Sequence, residues 1–288
     1  MKPVLKLVLG PTAVGKTEYA IKLARQYGCP VVNCDSRQIF KEMEIGVARP
    51  SQEQLSSVKH YFIASRSITE PYTAGQYELD ALALLRKLFE ANDVVVACGG
   101  SGLYIDALCN GLDDFPPADE ELRASLNRRA EREGTDSLRK ELKLLDPESY
   151  AKLDLANTQR IIRALEVTIA TGRKFSSFKT SPAKHRPFDI EKTGLTRPRE
   201  ELYARIDVRV DQMIDDGLVH EVEGLVRYRH LPALNTVGYR EIFGMLDGEY
   251  DLEEAVRLIK RNTRHYAKKQ LTYWGRDHSI NWIDAREI

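Results

Sequence analysis

The first hundred residues alternate between short apolar runs and longer amphipathic stretches. Apolar runs occur in "LKLVL", "CPVVNCD" and "DVVVACGG", and the last is continuous enough to be a strand buried in a parallel sheet. Helical spacing of apolar positions marks "EYAIKLARQYG", which stops at Gly28, and "GQYELDALALLRKLFEAN". This alternation predicts an α/β fold with a doubly wound parallel sheet, in which ligands bind at the carboxyl ends of the strands.

The pattern changes over residues 114–187. This segment opens with Pro116 and Pro117 and continues through highly charged helical stretches to "NTQRIIRALEVTIATG", with no strand candidate inside it. We therefore expect an all-helical subdomain inserted into the core, which would comprise residues 1–113 and 188–288. The second part of the core shows one more strand pattern, "FDIEKTGLT", and long helical stretches that begin at Pro198 and Asp251.

The amino-acid composition indicates the class of protein but not its function. The 288 residues are 42% hydrophobic and 30% charged, as expected of a soluble globular chain, and the formal net charge is zero. A polyanionic partner would therefore have to meet a local patch of positive charge. No apolar run approaches the roughly 20 residues that span a bilayer, and Lys6 interrupts the apolar start, which favours a strand over a signal peptide.

The cysteines indicate a reducing compartment. The chain has four cysteines without a CxxC pair and without a histidine at metal-ligand spacing, so we expect free thiols and a cytoplasmic protein. The four are Cys29, Cys34, Cys98 and Cys109.

A glycine-rich loop follows the first strand. It satisfies the pattern G-x-x-x-x-G-K-[ST], with a strand before it and a helix after it, and this context predicts a phosphate cradle. Its residues are Gly10, Pro11, Thr12, Ala13, Val14, Gly15, Lys16 and Thr17. Loop amides and the positive end of the helix would hold phosphate oxygens, Lys16 would reach the outer ones, and Thr17 could ligate Mg²⁺. Alone, the motif is typical of kinases and of ATP- or GTP-hydrolysing proteins.

A second metal-binding carboxylate, usual in phosphoryl transfer, is missing where it would be expected. The buried strand ends in "VVVACGGSGLY", which contains no acid. Asp35, at the end of the second strand, is placed to activate an acceptor, although it could instead cap the following turn. The glycines of "GGSGLY" would let a substrate approach the backbone with Ser101 offering a hydroxyl, or would simply form a packing turn.

A basic segment runs from Ala255 to Arg276. It has seven lysines and arginines and no acid, with aromatic residues between them. The cations are Arg257, Lys260, Arg261, Arg264, Lys268, Lys269 and Arg276, and the interleaved rings are His265, Tyr266, Tyr273 and Trp274. Solvated helix faces usually mix charge signs, so this segment predicts contact with nucleic acid.

Ordered motifs along almost the whole chain resemble the tRNA dimethylallyltransferases, which add an isopentenyl group to an adenosine beside the anticodon. They are "GPTAVGKT", "DSRQIF", "IGVARP", "GGSGLY", "NTQRIIRALEV", "RIDVRVDQMIDDGLVHEV", "VGYREI" and "TRHYAKKQLTYW". The resemblance implies that the cradle holds dimethylallyl diphosphate, that Mg²⁺ assists, and that the acceptor is the anticodon stem-loop of tRNA. The diphosphate would then leave intact, and we expect the enzyme to be a monomer.

Site residues follow from matching these motifs position by position. Asp35 would accept the proton of the adenine amine, Arg209 would meet the departing diphosphate, and Thr12 would lie near the reacting centre. Implied tRNA contacts are Asp35, Ser36, Arg37, Gln38, Ser101, Arg123, Gln159, Arg160, Ile161, Ile162 and Arg163. The chain departs from the family in carrying Ser101 where many members have threonine. It also has "LNT" ahead of "VGYREI", where some members have a basic residue.

Three other functions fit parts of the pattern. The loop alone fits a small-molecule or nucleotide kinase. A relative that prenylates free adenine nucleotide would not need the basic segment, and a non-catalytic RNA-binding module would leave Lys16 and Asp35 unexplained.

Overall fold

A six-stranded parallel sheet forms the centre of the computed structural model, which describes residues 2–179 and 183–288. The strands are β1 (Val4–Leu9), β2 (Val31–Asn33), β3 (His60–Tyr61), β4 (Val94–Gly99), β5 (Asp189–Thr196) and β6 (Ile280–Asp284). They lie in the order β3-β2-β4-β1-β5-β6, and each neighbouring pair is parallel. The α/β fold with a parallel sheet, predicted from the sequence, is confirmed.

Twelve α-helices accompany the strands among the described residues. In chain order they are α1 (Lys16–Tyr27), α2 (Gln52–Ser57), α3 (Ala74–Leu88), α4 (Gly102–Asn110), α5 (Glu120–Glu133), α6 (Thr135–Leu145), α7 (Pro147–Lys152), α8 (Thr158–Thr171), α9 (Arg199–Asp215), α10 (Leu218–Glu223), α11 (Tyr239–Leu246) and α12 (Leu252–Trp274). Capping residues set the ends of several helices. Gly28 ends α1 in the left-handed conformation, and the Thr73 hydroxyl caps α3 by accepting from the Gln76 amide.

The chain forms two compact units, Met1–Asn110 with Arg186–Ile288, and Gly111–His185. The first unit contains the sheet. Its central strands β1 and β4 are mostly apolar and largely buried; the partly buried exceptions are Val4, Lys6 and Val94. All four cysteines are buried free thiols, which confirms that they are unpaired. No helix of the described chain combines the length and apolar character needed to cross a membrane.

The second unit is helical. It contains α5 to α8 and a short 3₁₀ helix at Phe175–Phe178, and its described residues include no strand. Its core includes Leu126, Leu138, Leu142, Ile161, Ile162 and Leu165. The buried Asp146 carboxylate ties the base of this unit together by accepting from the amides and hydroxyls of Ser149 and Ser176.

Candidate active site

A cavity of about 540 Å³ opens at the carboxyl ends of β1, β2 and β4. The loops that follow these three strands line it, together with residues of α9 and α12 and the segment before α11. All of these residues belong to the sheet-containing unit. The cavity therefore lies where a parallel sheet offers its loops and helix amino termini to a ligand.

The glycine-rich loop after β1 has the conformation of an anion cradle. Gly10, Ala13 and Gly15 all have positive φ angles, of 148°, 64° and 111°. At Gly10 a side chain is excluded as well, because a Cβ atom would lie 2.8 Å from the Leu195 carbonyl oxygen. In the described structure, the amides of residues 13–16 donate to no protein acceptor. These unpaired amides and the amino terminus of α1 suit phosphate oxygens.

Lys16 is the cation of this cradle. Its ammonium group donates to the Pro11 carbonyl at 2.7 Å. Desolvation and the nearby Arg209 guanidinium lower the pKa of Lys16 to about 8. Cys98 lies in the same cavity, and burial raises the pKa of its thiol to about 12, so the thiol is protonated at neutral pH. Lys16 thus has no thiolate partner and is free to meet an anionic ligand.

Three arginines hold the cradle from the β5 and α9 side. Arg197 donates to the Val14 carbonyl at 3.0 Å, and Arg205 donates to the Ala13 carbonyl at 2.8 Å. Arg209 reaches the Thr12 hydroxyl at 3.4 Å, and burial lowers the pKa of its guanidinium. The first two arginines bond carbonyl oxygens of the loop and so help fix its backbone. Arg209, which family motifs also indicate, lies against the cavity itself.

Asp35 lies in the same cavity, just after β2. Its Oδ1 accepts from the amides of Arg37 at 2.8 Å and Gln38 at 3.3 Å, which is the capping arrangement that the sequence left open. Its Oδ2 accepts no hydrogen bond in the described part of the chain. One oxygen thus fixes the turn while the other is available to a ligand, so capping and proton acceptance are compatible at this carboxylate.

The residues after Asp35 connect it to the other cavity walls. Ser36 donates through its amide to the Ser101 hydroxyl at 2.9 Å, which joins the β2 and β4 loops. The Gln38 side chain donates to the Val47 and Ala48 carbonyls and holds the "IGVARP" loop in place. The half-buried Arg37 guanidinium makes no ion pair among the described residues, and burial lowers its pKa.

Several residues that shape this cavity were not predicted from the sequence. Glu221 on α10 accepts from the amides of Glu44, Ile45 and Gly46 and from the Tyr239 hydroxyl, so a single carboxylate fixes the loop that contains "IGVARP". Arg205 was also missed, although it precedes Arg209 by four residues and therefore shares its helix face. That spacing could have identified Arg205, whereas no local feature distinguishes Glu221.

Most of the basic segment lies on one helix, α12, which ends at Trp274 before Arg276, and ion pairs reduce its free charge. Arg257 pairs with Glu254, Lys260 with Asp211 and Arg264 with Asp207, each at 2.6 Å. In contrast, Lys268, Lys269 and Arg276 form no ion pair in the described chain. They line a shallow groove of about 400 Å³ together with His265, Thr272 and Tyr273. With Arg261, which also forms no ion pair among the described residues, they carry the positive charge that this segment leaves unpaired.

The helical unit contains the remaining tRNA-binding residues implied by the family resemblance. Arg123 and Arg163 both pair with Glu166, whose side chain is 1% exposed. Gln159 is exposed and donates to Asn127, and Arg160 is exposed. These four side chains are polar and at least partly accessible.

Ile161 and Ile162 require a correction. They are 0% and 1% exposed and pack in the core of the helical unit. Their side chains are therefore not available to tRNA, and these two apolar residues serve the packing of α8 in the core of the helical unit.

Comparisons with known proteins relate this chain to one family. Residues 38–277 match the family described as IPP transferase. A tRNA dimethylallyltransferase from Cytophaga hutchinsonii is 50% identical over 98% of this chain and 93% of its own length. The tRNA dimethylallyltransferase 1 of Bacteroides thetaiotaomicron is 48% identical over 99% of this chain and 92% of its own length.

A solved structure agrees with these relatives. The tRNA isopentenylpyrophosphate transferase of Bacillus halodurans is 33% identical, covers 99% of this chain and 90% of its own, and superposes with a TM-score of 0.72. The family match, the full-length relatives and the fold thus coincide, and this chain belongs to the IPP transferase family.

Proposed function

We propose that this protein is a tRNA dimethylallyltransferase, which moves the dimethylallyl group of dimethylallyl diphosphate onto the exocyclic amine of the adenosine on the 3′ side of the anticodon. The observation that carries the proposal is the pairing, in one cavity, of an anion cradle with unpaired amides and a carboxylate oxygen without a partner. β4 ends at Gly99 without the acid that a phosphoryl-transfer enzyme normally uses for its metal.

The reaction requires bond formation at a weak nucleophile. The amine lone pair of adenine is delocalised into the ring, so the amine must be oriented and must lose a proton as the new carbon–nitrogen bond forms. Asp35 Oδ2 would accept that proton. The carbon–oxygen bond of the donor breaks at the same stage, and its electron pair leaves with the diphosphate.

Charge that develops on the departing diphosphate would be met by the loop amides, Lys16 and Arg209. The Thr12 hydroxyl accepts a hydrogen bond from Arg209. Thr12 would therefore lie near the carbon–oxygen bond of the donor that breaks.

The residues present also fit a magnesium ion. Mg²⁺ prefers oxygen ligands and commonly combines one or two protein oxygens with phosphate oxygens and water. The Thr17 hydroxyl, at the first turn of α1 and on the cavity wall, would supply the protein oxygen, and the donor would supply the others. When bound, the ion neutralises charge on the diphosphate.

We propose tRNA as the acceptor, with two surfaces that contact it. The groove of α12 would meet the phosphate backbone through Lys268, Lys269 and Arg276. Arg123, Gln159, Arg160 and Arg163 of the helical unit would add further contacts. The target adenosine would be turned out of its stack to reach Asp35. The proposal includes a monomeric enzyme and a cytoplasmic location, and the four buried free thiols agree with the location.

The direct test combines the purified chain, unmodified tRNA, Mg²⁺ and dimethylallyl diphosphate, followed by nucleoside mass spectrometry. We expect one isopentenyladenosine per tRNA in the anticodon loop. Prenylation of adenosine monophosphate instead of tRNA would favour the free-nucleotide relative. Phosphoryl transfer from ATP without prenylation would favour the kinase.

The α12 groove leads to a prediction about salt dependence. Replacing both lysines, Lys268→Gln with Lys269→Gln, should weaken tRNA binding similarly for different tRNA sequences. The slope of log K against log salt should become shallower by about 0.7 to 0.9 for each lost phosphate contact. Binding isotherms at four or more salt concentrations measure this slope.

A matched control removes equal charge elsewhere. Lys22 on α1 and Lys87 on α3 are exposed and lie outside both the cavity and the groove. Lys22→Gln with Lys87→Gln should leave the slope close to that of the wild type. Equal changes in the two double variants would mean that general charge, and not the groove, governs tRNA binding.

A further inference from the structure

Gln270 on α12 connects three parts of the cavity. Its Oε1 accepts from the Thr12 amide at 2.8 Å, and its Nε2 donates to the Gly100 carbonyl at 2.8 Å. One side-chain amide thus bridges α12, the glycine-rich loop after β1 and the turn after β4. The bridge spans 258 residues of sequence on one side and 170 on the other.

The position of Gln270 on its helix makes this bridge unusual. Its side chain is 6% exposed, and the neighbouring positions one turn away, Ala267 and Trp274, are buried apolar residues. Burying a primary amide there is costly unless both of its polar groups are paired. Packing alone would favour an apolar residue at this position, yet the amide is present and satisfied on both sides.

The bridge determines which atoms of the loop face the donor. Because the Thr12 amide is bonded to Gln270, it is not available to a phosphate oxygen, and the series of unpaired amides begins at Ala13. The Thr12 hydroxyl is left to contact Arg209. Gln270 therefore fixes the orientation of the residue that lies between the cradle and the reacting centre.

The second hydrogen bond reaches the Lys16 side of the cradle. A Cβ atom on Gly100 would lie 2.6 Å from Gln270 Nε2 and 3.7 Å from Lys16 Nζ. Both groups thus lie close to Gly100, and a side chain at position 100 would displace the glutamine amide from its hydrogen bond. A change at Gln270 would therefore act on the turn after β4 as well as on Thr12.

We infer that Gln270 is a positioning residue, which holds the glycine-rich loop and the turn after β4 in the geometry that binds the diphosphate. It acts through Thr12 and Gly100. The inference rests on the proposed function for the identity of the donor, but its consequence concerns diphosphate binding, which can be measured without tRNA and without the prenyl chain.

Two substitutions test the bridge. Gln270→Met keeps the length and most of the volume of the side chain but loses both hydrogen bonds. Gln270→Glu keeps an acceptor for the Thr12 amide but places a carboxylate beside the Gly100 carbonyl and near Lys16. With inorganic diphosphate and Mg²⁺ as the probe, calorimetry should show affinity about 10- to 100-fold weaker for Gln270→Met. Gln270→Glu should be weaker still, because the added charge repels the anion.

Affinity for unmodified tRNA should stay within about threefold of the wild type in both variants, while kcat for prenyl transfer falls with diphosphate affinity. Tyr250→Phe serves as the matched structural control. It removes a hydrogen bond of 3.0 Å to the Glu241 carbonyl, away from the cradle, and should lower the thermal midpoint without altering diphosphate affinity.

Diphosphate affinity within twofold of wild type in a folded Gln270→Met or Gln270→Glu variant would overturn the inference, even if the thermal midpoint fell. A wild-type protein that binds diphosphate but fails to prenylate tRNA would instead contradict the proposed function and leave the role of Gln270 in the cradle intact.

Discussion

Asp35→Asn is expected to lower the single-turnover rate of prenyl transfer by about 10² to 10⁴, the usual contribution of a positioned proton acceptor. The substitution replaces a charged oxygen by an amide, which cannot take the amine proton and presents a competing donor. Donor affinity should change little, because the cradle lies on other loops. Rapid-quench measurement with enzyme in excess over tRNA gives the rate of the chemical step.

The structure shows that Asp35→Asn can separate proton acceptance from capping of the turn. Asparagine retains an oxygen that can accept from the Arg37 and Gln38 amides, so the turn should persist and the thermal midpoint should be nearly unchanged. Asp35→Ala removes that cap as well and should cost about 1 kcal/mol of stability in addition to activity. A stable Asp35→Asn enzyme with normal turnover would refute the proposed proton acceptor.

Lys16→Ala should weaken donor binding and turnover together, lowering kcat/KM for the donor by about 10² to 10³ while tRNA affinity stays near that of the wild type. The reason is that Lys16 donates to the Pro11 carbonyl inside the loop and would therefore meet the diphosphate and not the tRNA. Lys22→Ala, an exposed position one turn and a half further along α1, is the control and should behave as the wild type. Comparable loss of tRNA binding in Lys16→Ala would contradict this assignment.

The same residue should give donor binding a pH dependence of known sign. The pKa of Lys16 is lowered to about 8 in the free protein, and an adjacent diphosphate favours the charged form. Lys16 is charged below pH 8, so its contribution to the affinity for the donor is greatest there. Above pH 8 a proton must be taken up on binding, and affinity should fall by up to about tenfold per pH unit. Lys16→Arg should remove this fall.

Local motifs identified the candidate site residues but not the residues that hold them in place. The glycine-rich loop, Asp35 and the basic helix each occupy one continuous stretch of sequence, so spacing and residue type were sufficient to single them out. Gln270 and Arg205 act on the cradle across 258 and 192 residues, and Glu221 acts on its loop across at least 175. Only the folded sheet brings these partners together, and no local pattern records the contact.

Charge and burial explain the other differences. The acids that neutralise Lys260 and Arg264 are on α9, so a reading of α12 alone overestimates its free positive charge. Ile161 and Ile162 fall within a family motif but follow the apolar face of α8 into the core. Strand β6 escaped prediction because only Ile280 of its five residues is buried; its pairing with β5 is what makes it a strand.

In the proposed reaction a carbon chain moves and the diphosphate leaves intact. A donor labelled with ¹⁴C in the dimethylallyl group and with ³²P in the terminal phosphate, incubated with unmodified tRNA, Mg²⁺ and the enzyme, measures both fates in one reaction. We predict that ¹⁴C enters the tRNA, that no ³²P does, and that all released ³²P is recovered as inorganic diphosphate in equal amount to the incorporated ¹⁴C. Transfer of ³²P to the tRNA, or its release as monophosphate in step with turnover, would contradict the account.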